Sequence, residues 1–382
     1  MKSAKPSILQ KKAQREARWL KRWQTRNAVT RALWPVSWLF QQVVTLRRKA
    51  FLRGWRAQYR VPVPVIVIGG IMIGGVGKTP IVVQLVQSLK QAGYQPAIIT
   101  RGYGSREEHN QVQPVDSQSL AEEVGDEPLL LAQNTGVPVW VGADRVNAAR
   151  AIGTHHPECD VIVCDDGLQH YRLYRDIEVA VVDERGVGNG WCLPAGPLRE
   201  PPQRLSSVSA VVLHQRNAGT AEKHNDERPD WPLCENKAVF KVQSELSIAY
   251  ALAQVERTIA LNDWVQLMGQ KVLMLAGIAR PQVFFDMLAG YGITGERYAL
   301  PDHAPMDDDL VQRLMYVLQE QSLDFVLMTE KDAVKCLPWL NSHPQLAEKI
   351  WVVPLRLIDN ENWQNFSFHV ISELERLDRK EE

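Results

Sequence analysis

An apolar β-branched run, Val63–Ile68, passes through Met72-Ile-Gly-Gly-Val-Gly-Lys-Thr79 into an amphipathic run, Pro80–Leu89. Strand, glycine loop and helix in that order confine this part of the chain to an α/β sheet whose strand ends face a helix N-terminus. Glycines let the backbone curl until successive N–H groups point at one anion, and the helix adds the positive end of its dipole. Met72, Ile73, Gly74, Gly75, Val76 and Gly77 are therefore expected to cradle phosphates. Lys78 is expected to reach the outer phosphates and the Thr79 hydroxyl to ligate Mg²⁺. Pro80 is tolerated in a helix's first turn. The usual pattern has a glycine where Met72 stands, and a glycine turn with no ligand is the plain alternative.

At 382 residues the chain is long for one core, so two α/β units are expected. Its five cysteines are scattered without a C-x-x-C pair, which suits buried thiols of a reducing compartment rather than a disulfide or zinc framework. The zero net charge hides an asymmetry. Residues 1–60 carry sixteen Lys/Arg against one acidic residue, Glu16, and hold five of the twelve tryptophans: Trp19, Trp23, Trp34, Trp38 and Trp55. Residues 1–27 read as a basic arm and 28–60 as an amphipathic helix lying on a membrane surface. The apolar run Leu33–Leu46 is too short to span a bilayer and is flanked by arginines. The other reading is an ordinary helix docked on the domain. No groove-reading motif accompanies the charge, so nucleic acid is not expected as a partner. Nothing in the sequence names an obligate protein partner.

A regular alternation follows. Strands are predicted at 95–100, 137–141, 160–164, 177–182 and 209–214, with helices at 79–92, 128–134 and 144–152, giving a mostly parallel sheet with helices on both faces over residues 61–236. Arg101-Gly-Tyr-Gly104 marks a tight turn at a strand's carboxyl end, where open α/β sheets bind ligands. The polar stretch 215–236 reads as an insertion or linker. A smaller α/β unit is predicted over 237–355 and a terminal helix over 356–382.

The apolar strand Val161–Cys164 runs into Asp165 and Asp166, which sets carboxylates at the sheet edge beside the phosphate loop, where they can hold Mg²⁺. The proline-braced loop Gly190–Glu200 ends in Arg199 and Glu200, a guanidinium for a transferring phosphoryl group and a carboxylate for the metal. Asp126 and His303 each follow an apolar segment. An Asp–His pair is one way to make a base for a kinase acting on an alcohol.

Seven blocks in order carry a resemblance: 74–80, Arg101–Gly104, Gly125-Asp-Glu-Pro128, Asp165-Asp-Gly-Leu-Gln-His170, Leu193-Pro-Ala-Gly-Pro-Leu-Arg-Glu200, Asp302-His303 and Thr329-Glu-Lys-Asp-Ala-Val-Lys335. Over about residues 30–370 the chain resembles the tetraacyldisaccharide 4′-kinase family of lipid A biosynthesis. The resemblance implies ATP-dependent phosphorylation of the 4′-hydroxyl of a tetraacylated glucosamine disaccharide 1-phosphate, at the cytoplasmic face of the inner membrane. It implies that residues 72–79 form the ATP loop and that Thr79, Asp165, Asp166 and Glu200 stand on the metal side. Arg199 would contact phosphate, and Asp126 with His303 would form the base pair. The chain departs from the family pattern at Gly70, where Asn is usual, and at Met72, where Thr or Ser is usual.

A membrane-associated ATPase switch of the partitioning type is the alternative. Such a switch needs a second lysine just before the glycine pair, where this chain has Met72 and Ile73. Lys78→Ala is expected to damage both turnover and ATP affinity in steady-state kinetics; an unaltered KM for ATP would count against the loop assignment.

Overall fold

A computed structural model describes residues 8–103, 112–116, 118–216, 237–339 and 342–381. Gly104, most of the loop after it and nearly all of the expected insertion lie outside them. The chain begins with helices α1 (Ile8–Arg22) and α2 (Ala28–Leu52). Then come β1 (Val65–Gly69), α3 (Lys78–Gln91), β2 (Pro96–Thr100), β3 (Gln113–Val115), α4 (Ala121–Val124) and α5 (Asp126–Thr135). They are followed by β4 (Val139–Val141), α6 (Arg145–His155), β5 (Val161–Asp165), β6 (Ile177–Asp183), β7 (Ala210–Arg216) and β8 (Ala238–Leu246). A second run holds β9 (Ile248–Ala251), β10 (Gln254–Ala260), α7 (Leu261–Met268), β11 (Val272–Ala276), α8 (Pro281–Gly290), β12 (Glu296–Ala299) and α9 (Asp308–Glu320). It closes with β13 (Phe325–Thr329), α10 (Glu330–Ala333), α11 (Pro344–Ala347), β14 (Ile350–Val353), β15 (Leu355–Leu357) and α12 (Glu361–Glu381).

The expected α/β class is what is found. The larger sheet has the order β15-β8-β7-β6-β1-β5-β2-β4-β3 and is parallel except at its two edges, β15 and β3. β1 starts at Val65 rather than Val63 because Pro62 and Pro64, which lack a ladder N–H, flank Val63. Its five residues are all buried, as a central strand covered on both faces requires. The chain runs from β1 outward through α3 to β2, returns to β5 beside β1, and then builds β6 on β1's other side. The strand order thus reverses at β1, and the crevice beyond the carboxyl ends of β1 and β5 is where such a sheet takes a ligand. α3 buries Ile81, Val82, Leu85, Val86 and Leu89, one helical stripe, against this sheet.

The smaller sheet has the order β10-β9-β14-β13-β11-β12, with β14, β13, β11 and β12 parallel. Its start corrects the boundary expected at residue 237. β8 pairs in parallel with β7 from Ala238–Ala210 through Ser244–Arg216 and so belongs to the first sheet. The chain also returns to that sheet, since β15 pairs with β8, and α12 buries Trp363, Phe366, Val370 and Leu374 in the larger core. The polar stretch before β8 looks like a domain boundary along the chain, but a strand's partner is a tertiary choice that periodicity does not record.

The N-terminal helices are tied to the first unit by directed bonds. Ser37 of α2 donates to Cys192 O at 2.6 Å, Trp23 Nε1 donates to Pro194 O at 3.0 Å, and Asn189 N donates to Trp23 O at 2.9 Å. α2 leaves Trp34, Val36, Trp38, Leu39, Val43 and Leu46 exposed.

Candidate active site

The glycine loop leaves β1, and its outgoing edge is stitched to the loop ending at Glu200. Ile73 N donates to Pro197 O at 2.9 Å, Arg199 N donates to Ile71 O at 2.6 Å, and Met72 bridges Leu198. Gly77 caps α3 in a left-handed conformation, φ 79°, and a Cβ there would overlap the His214 ring. Glycine is therefore required at 77 on two counts. Ile73 through Thr79 line a cleft of about 900 Å³ between the two sheets. Met72 does not: its side chain is buried in the core beneath the loop, which leaves only its backbone for the cradle expected of residues 72–77. An apolar residue at that position packs downward rather than serving the ligand.

Lys78, Asp166 and Arg199 form one charged group. Arg199 Nη1 donates to both Asp166 oxygens, at 2.9 and 2.8 Å, and Lys78 Nζ lies 3.4 Å from Oδ1. Asp166 has left the strand with φ 48°, so the two aspartates diverge. Burial would raise the Asp166 carboxyl, but Lys78 and Arg199 outweigh it and hold the group well below the usual range. Burial likewise works against charge on Lys78, and Asp166, Asp165 and Glu127 overcome it and raise its pKa. Asp165 ends β5, buried, with Oδ1 lacking any hydrogen-bond partner. Burial, with Glu127 and Asp166 adding, pushes it up to about 7. A buried carboxylate with an orphaned oxygen, next in sequence to the cleft-lining Asp166, fits a divalent cation, and oxygen donors are what Mg²⁺ takes.

Glu200 stands elsewhere than expected. It is buried, it accepts from the Tyr171 hydroxyl and from Gln169 Nε2 (2.9 Å), and it lies 3.7 Å from Arg204 Nε. Its lone pairs serve the wall behind the cleft, and it reaches the cleft only through Gln169, a lining residue. Residue type and spacing cannot reveal such a detour, because the competing partners come from other segments.

The structure does bring Asp126 and His303 together. Asp126 opens α5 and lies 3% exposed behind the imidazole of His303, which lines the cleft. His303 Nδ1 is 2.9 and 3.0 Å from the two Asp126 oxygens, so Nδ1 carries the proton and donates. The sequence reading gave no role to Lys331. Its Nζ donates to Glu127 at 2.9 Å and to Asp302 at 3.0 Å, and it lies 3.4 Å from His303 Nε2. Its one legible signal was a charged residue just past an apolar strand, β13, at a sheet's carboxyl edge. Burial alone would raise Asp126; Lys331 and the His303 hydrogen bond win, and its pKa falls to about 2. Burial disfavours charged His303, but the Asp126 bond prevails and raises its pKa above 6.5.

A phosphate loop at a sheet switch point, a lysine at the first turn of its helix, and acidic groups facing it across a cleft define a P-loop nucleotide-binding protein of the phosphotransferase kind. Comparison with known proteins narrows this. Residues 29–370 match the family model of tetraacyldisaccharide-1-P 4′-kinase, LpxK, and the chain belongs to that family. It is 43% identical over 337 residues to the tetraacyldisaccharide 4′-kinase of Leptothrix cholodnii, covering 87% of this chain and 89% of that one. With the Methylobacillus flagellatus enzyme of the same name it shares 40% over 368 residues, 96% and 98% of the two chains. A crystal structure of LpxK from Aquifex aeolicus in complex with ATP superposes with a TM-score of 0.69 at 23% identity, covering 91% of this chain and 99% of that one; the likeness is one of fold.

The depressed Asp126 pKa has a stability consequence. Its contribution is fully present above the ordinary value of 3.8 and is lost as pH falls through about 2. Asp126→Asn should lower stability at neutral pH and flatten the fall in stability below pH 4 (urea unfolding at a series of pH values); an unchanged acid limb would refute the ion pair.

Proposed function

We propose that this protein transfers the γ-phosphoryl group of ATP to the 4′-hydroxyl of a tetraacylated glucosamine disaccharide 1-phosphate, yielding the bisphosphorylated lipid A precursor. The observation that carries the reading is the convergence of Asp126 and His303, from two units, on the cleft that also holds the glycine loop. A nucleotide switch needs no such pair, whereas an alcohol kinase uses it at the nucleophile. The partitioning-type switch therefore loses ground a second time.

Positioning and charge stabilisation do most of the work in phosphoryl transfer. The loop amides and Lys78 hold the triphosphate. Arg199, already extended toward the same point by Asp166, offsets charge on the transferring group. The His303 imidazole faces the cleft with Asp126 behind it; the pair orients the sugar hydroxyl, and Nε2 takes its proton as the new O–P bond forms and the γ-phosphorus–oxygen bond to the departing ADP breaks. Thr79, Asp165 and Asp166 are the residues that would hold Mg²⁺, whose chemistry is to neutralise the outer phosphates. Glu200 acts from behind, by fixing Gln169.

The lipid reading rests on α2. Arg47 of α2 lines the cleft while the same helix leaves Trp34, Trp38, Leu39, Val43 and Leu46 exposed, so a sugar bound in the cleft has an apolar path for its acyl chains. No helix among the described residues is long and apolar enough to cross a membrane, and a helix lying in the headgroup layer suits both facts. We place the protein at the cytoplasmic face of the inner membrane, as a peripheral or monotopic protein.

Purified protein with ATP, Mg²⁺ and the disaccharide 1-phosphate should yield the bisphosphorylated lipid, and Asp126→Ala should lose about 10²–10⁴-fold in kcat with ATP affinity little changed. Wild-type turnover in that variant would sink the base assignment. Deleting residues 1–56 would also remove the Ser37 and Trp23 anchors, so the membrane test uses exposed positions. Trp38→Glu with Leu39→Glu should weaken binding to phosphatidylglycerol-containing vesicles by at least about tenfold. Binding that survives the pair would count against α2 as the anchor.

A further inference from the structure

Three consecutive carbonyls of the glycine loop each accept a hydrogen bond from a side chain of β7 or of the turn after β6. Arg185 Nη2 donates to Gly74 O at 2.6 Å, Arg216 Nη2 to Gly75 O at 2.8 Å, and His214 Nδ1 lies 2.9 Å from Val76 O. The donors stand at the end of β7 and in the turn after β6, outside every sequence block that marked the chain as a kinase. A trans peptide is planar, and its N–H points opposite its C=O. Drawing the carbonyls of residues 74, 75 and 76 toward these donors therefore turns the amides of Gly75, Val76 and Gly77 away from them, and all three residues line the cleft.

His214 is the member with no other evident task. Its ring is fully buried, and Nε2 lies 2.8 Å from the Ser244 hydroxyl of β8. A carbonyl cannot donate, so Nδ1 carries the proton toward Val76, and Nε2 accepts from Ser244 when the ring is neutral. Burial, with Arg216 adding, holds its pKa down to about 4, so the ring is neutral at physiological pH. Arg185 and Arg216, by contrast, also neutralise Asp183, at 2.7 and 3.6 Å.

We propose that His214 is a positioning residue for the nucleotide, holding the Val76–Gly77 peptide with its amide toward the phosphates while Arg185 and Arg216 hold the two peptides before it. The proposal rests on the reading of residues 72–79 as the ATP loop. Its reach extends to β8, because the Ser244 hydroxyl, donating to Nε2, steadies the ring whose tautomer the Val76 carbonyl sets.

The test compares full-length His214→Asn, which offers an amide N–H near the place of Nδ1, with His214→Leu, which keeps volume and loses the donor. ATP affinity is measured by calorimetry without lipid, and KM for each substrate by steady-state assay. His214→Leu should weaken ATP binding about tenfold, the cost of stranding one buried carbonyl, leave KM for the disaccharide unchanged, and be largely rescued in His214→Asn. ATP binding within about twofold of wild type in folded His214→Leu, or both KM values rising together with no rescue by Asn, overturns the proposal. If His214→Leu does not fold, Ser244→Ala carries the test through its release of the ring, expected to weaken ATP binding about threefold; an unchanged affinity overturns the proposal. Wild-type protein that binds no ATP would instead overturn the nucleotide reading of the loop, so the two failures are distinguishable.

Discussion

The carbonyls of Gly74 and Gly75 are held by arginines that a buried carboxylate, Asp183, anchors. Asp183 has no side-chain exposure and takes three guanidiniums, from Arg185, Arg216 and Arg280. A buried charge is tolerated only when it is paired and hydrogen-bonded, so these arginines are held where they stand, and two of them reach on to loop carbonyls. Arg280 comes from the second unit, directly before α8, and also meets Glu184 at 2.5 Å. Ala279 packs close to Gly75. The orientation of the loop and the seating of the second sheet on the first thus share one electrostatic anchor.

Three of the cleft's cations are paired with acids of the same cleft. Asp166 holds Lys78 and Arg199 together, while Glu127 and Asp302 hold Lys331. In the function proposed, a triphosphate would compete with Asp166 for both cations, and a metal near Asp165 and Asp166 would lower the cost of that exchange. The same logic separates the two aspartates. Asp166 is kept charged by its neighbours, whereas Asp165, buried with an unpartnered oxygen, is driven toward its neutral form until a cation compensates it.

In the function proposed, joining a lipid surface to this chemistry would fall to α2. One part of that helix is fixed to the loop ahead of Arg199 through Ser37 and Cys192, and Arg47 reaches the cleft. The wall that positions Arg199 and the helix that carries exposed tryptophans are therefore mechanically one piece.

Whatever depended on neighbours in the chain was legible in the sequence. A glycine loop between strand and helix, an apolar strand running into Asp165, and a basic tryptophan-rich N-terminus are local patterns, because backbone conformation and helix dipoles are set within a few residues. Whatever depended on which distant segment arrives was decided by tertiary structure. Asp126 and His303 were named as a pair by function and resemblance, but their meeting requires the second unit to fold back across the cleft. Met72 turned into the core, and Glu200 was claimed by Tyr171 and Gln169. β8 joined the first sheet, where it supplies Ser244 to His214. The residues that aim the loop's amides belong to this second kind. A carbonyl can be held by any donor that reaches it, so only packing determines that His214, Arg216 and Arg185 do so.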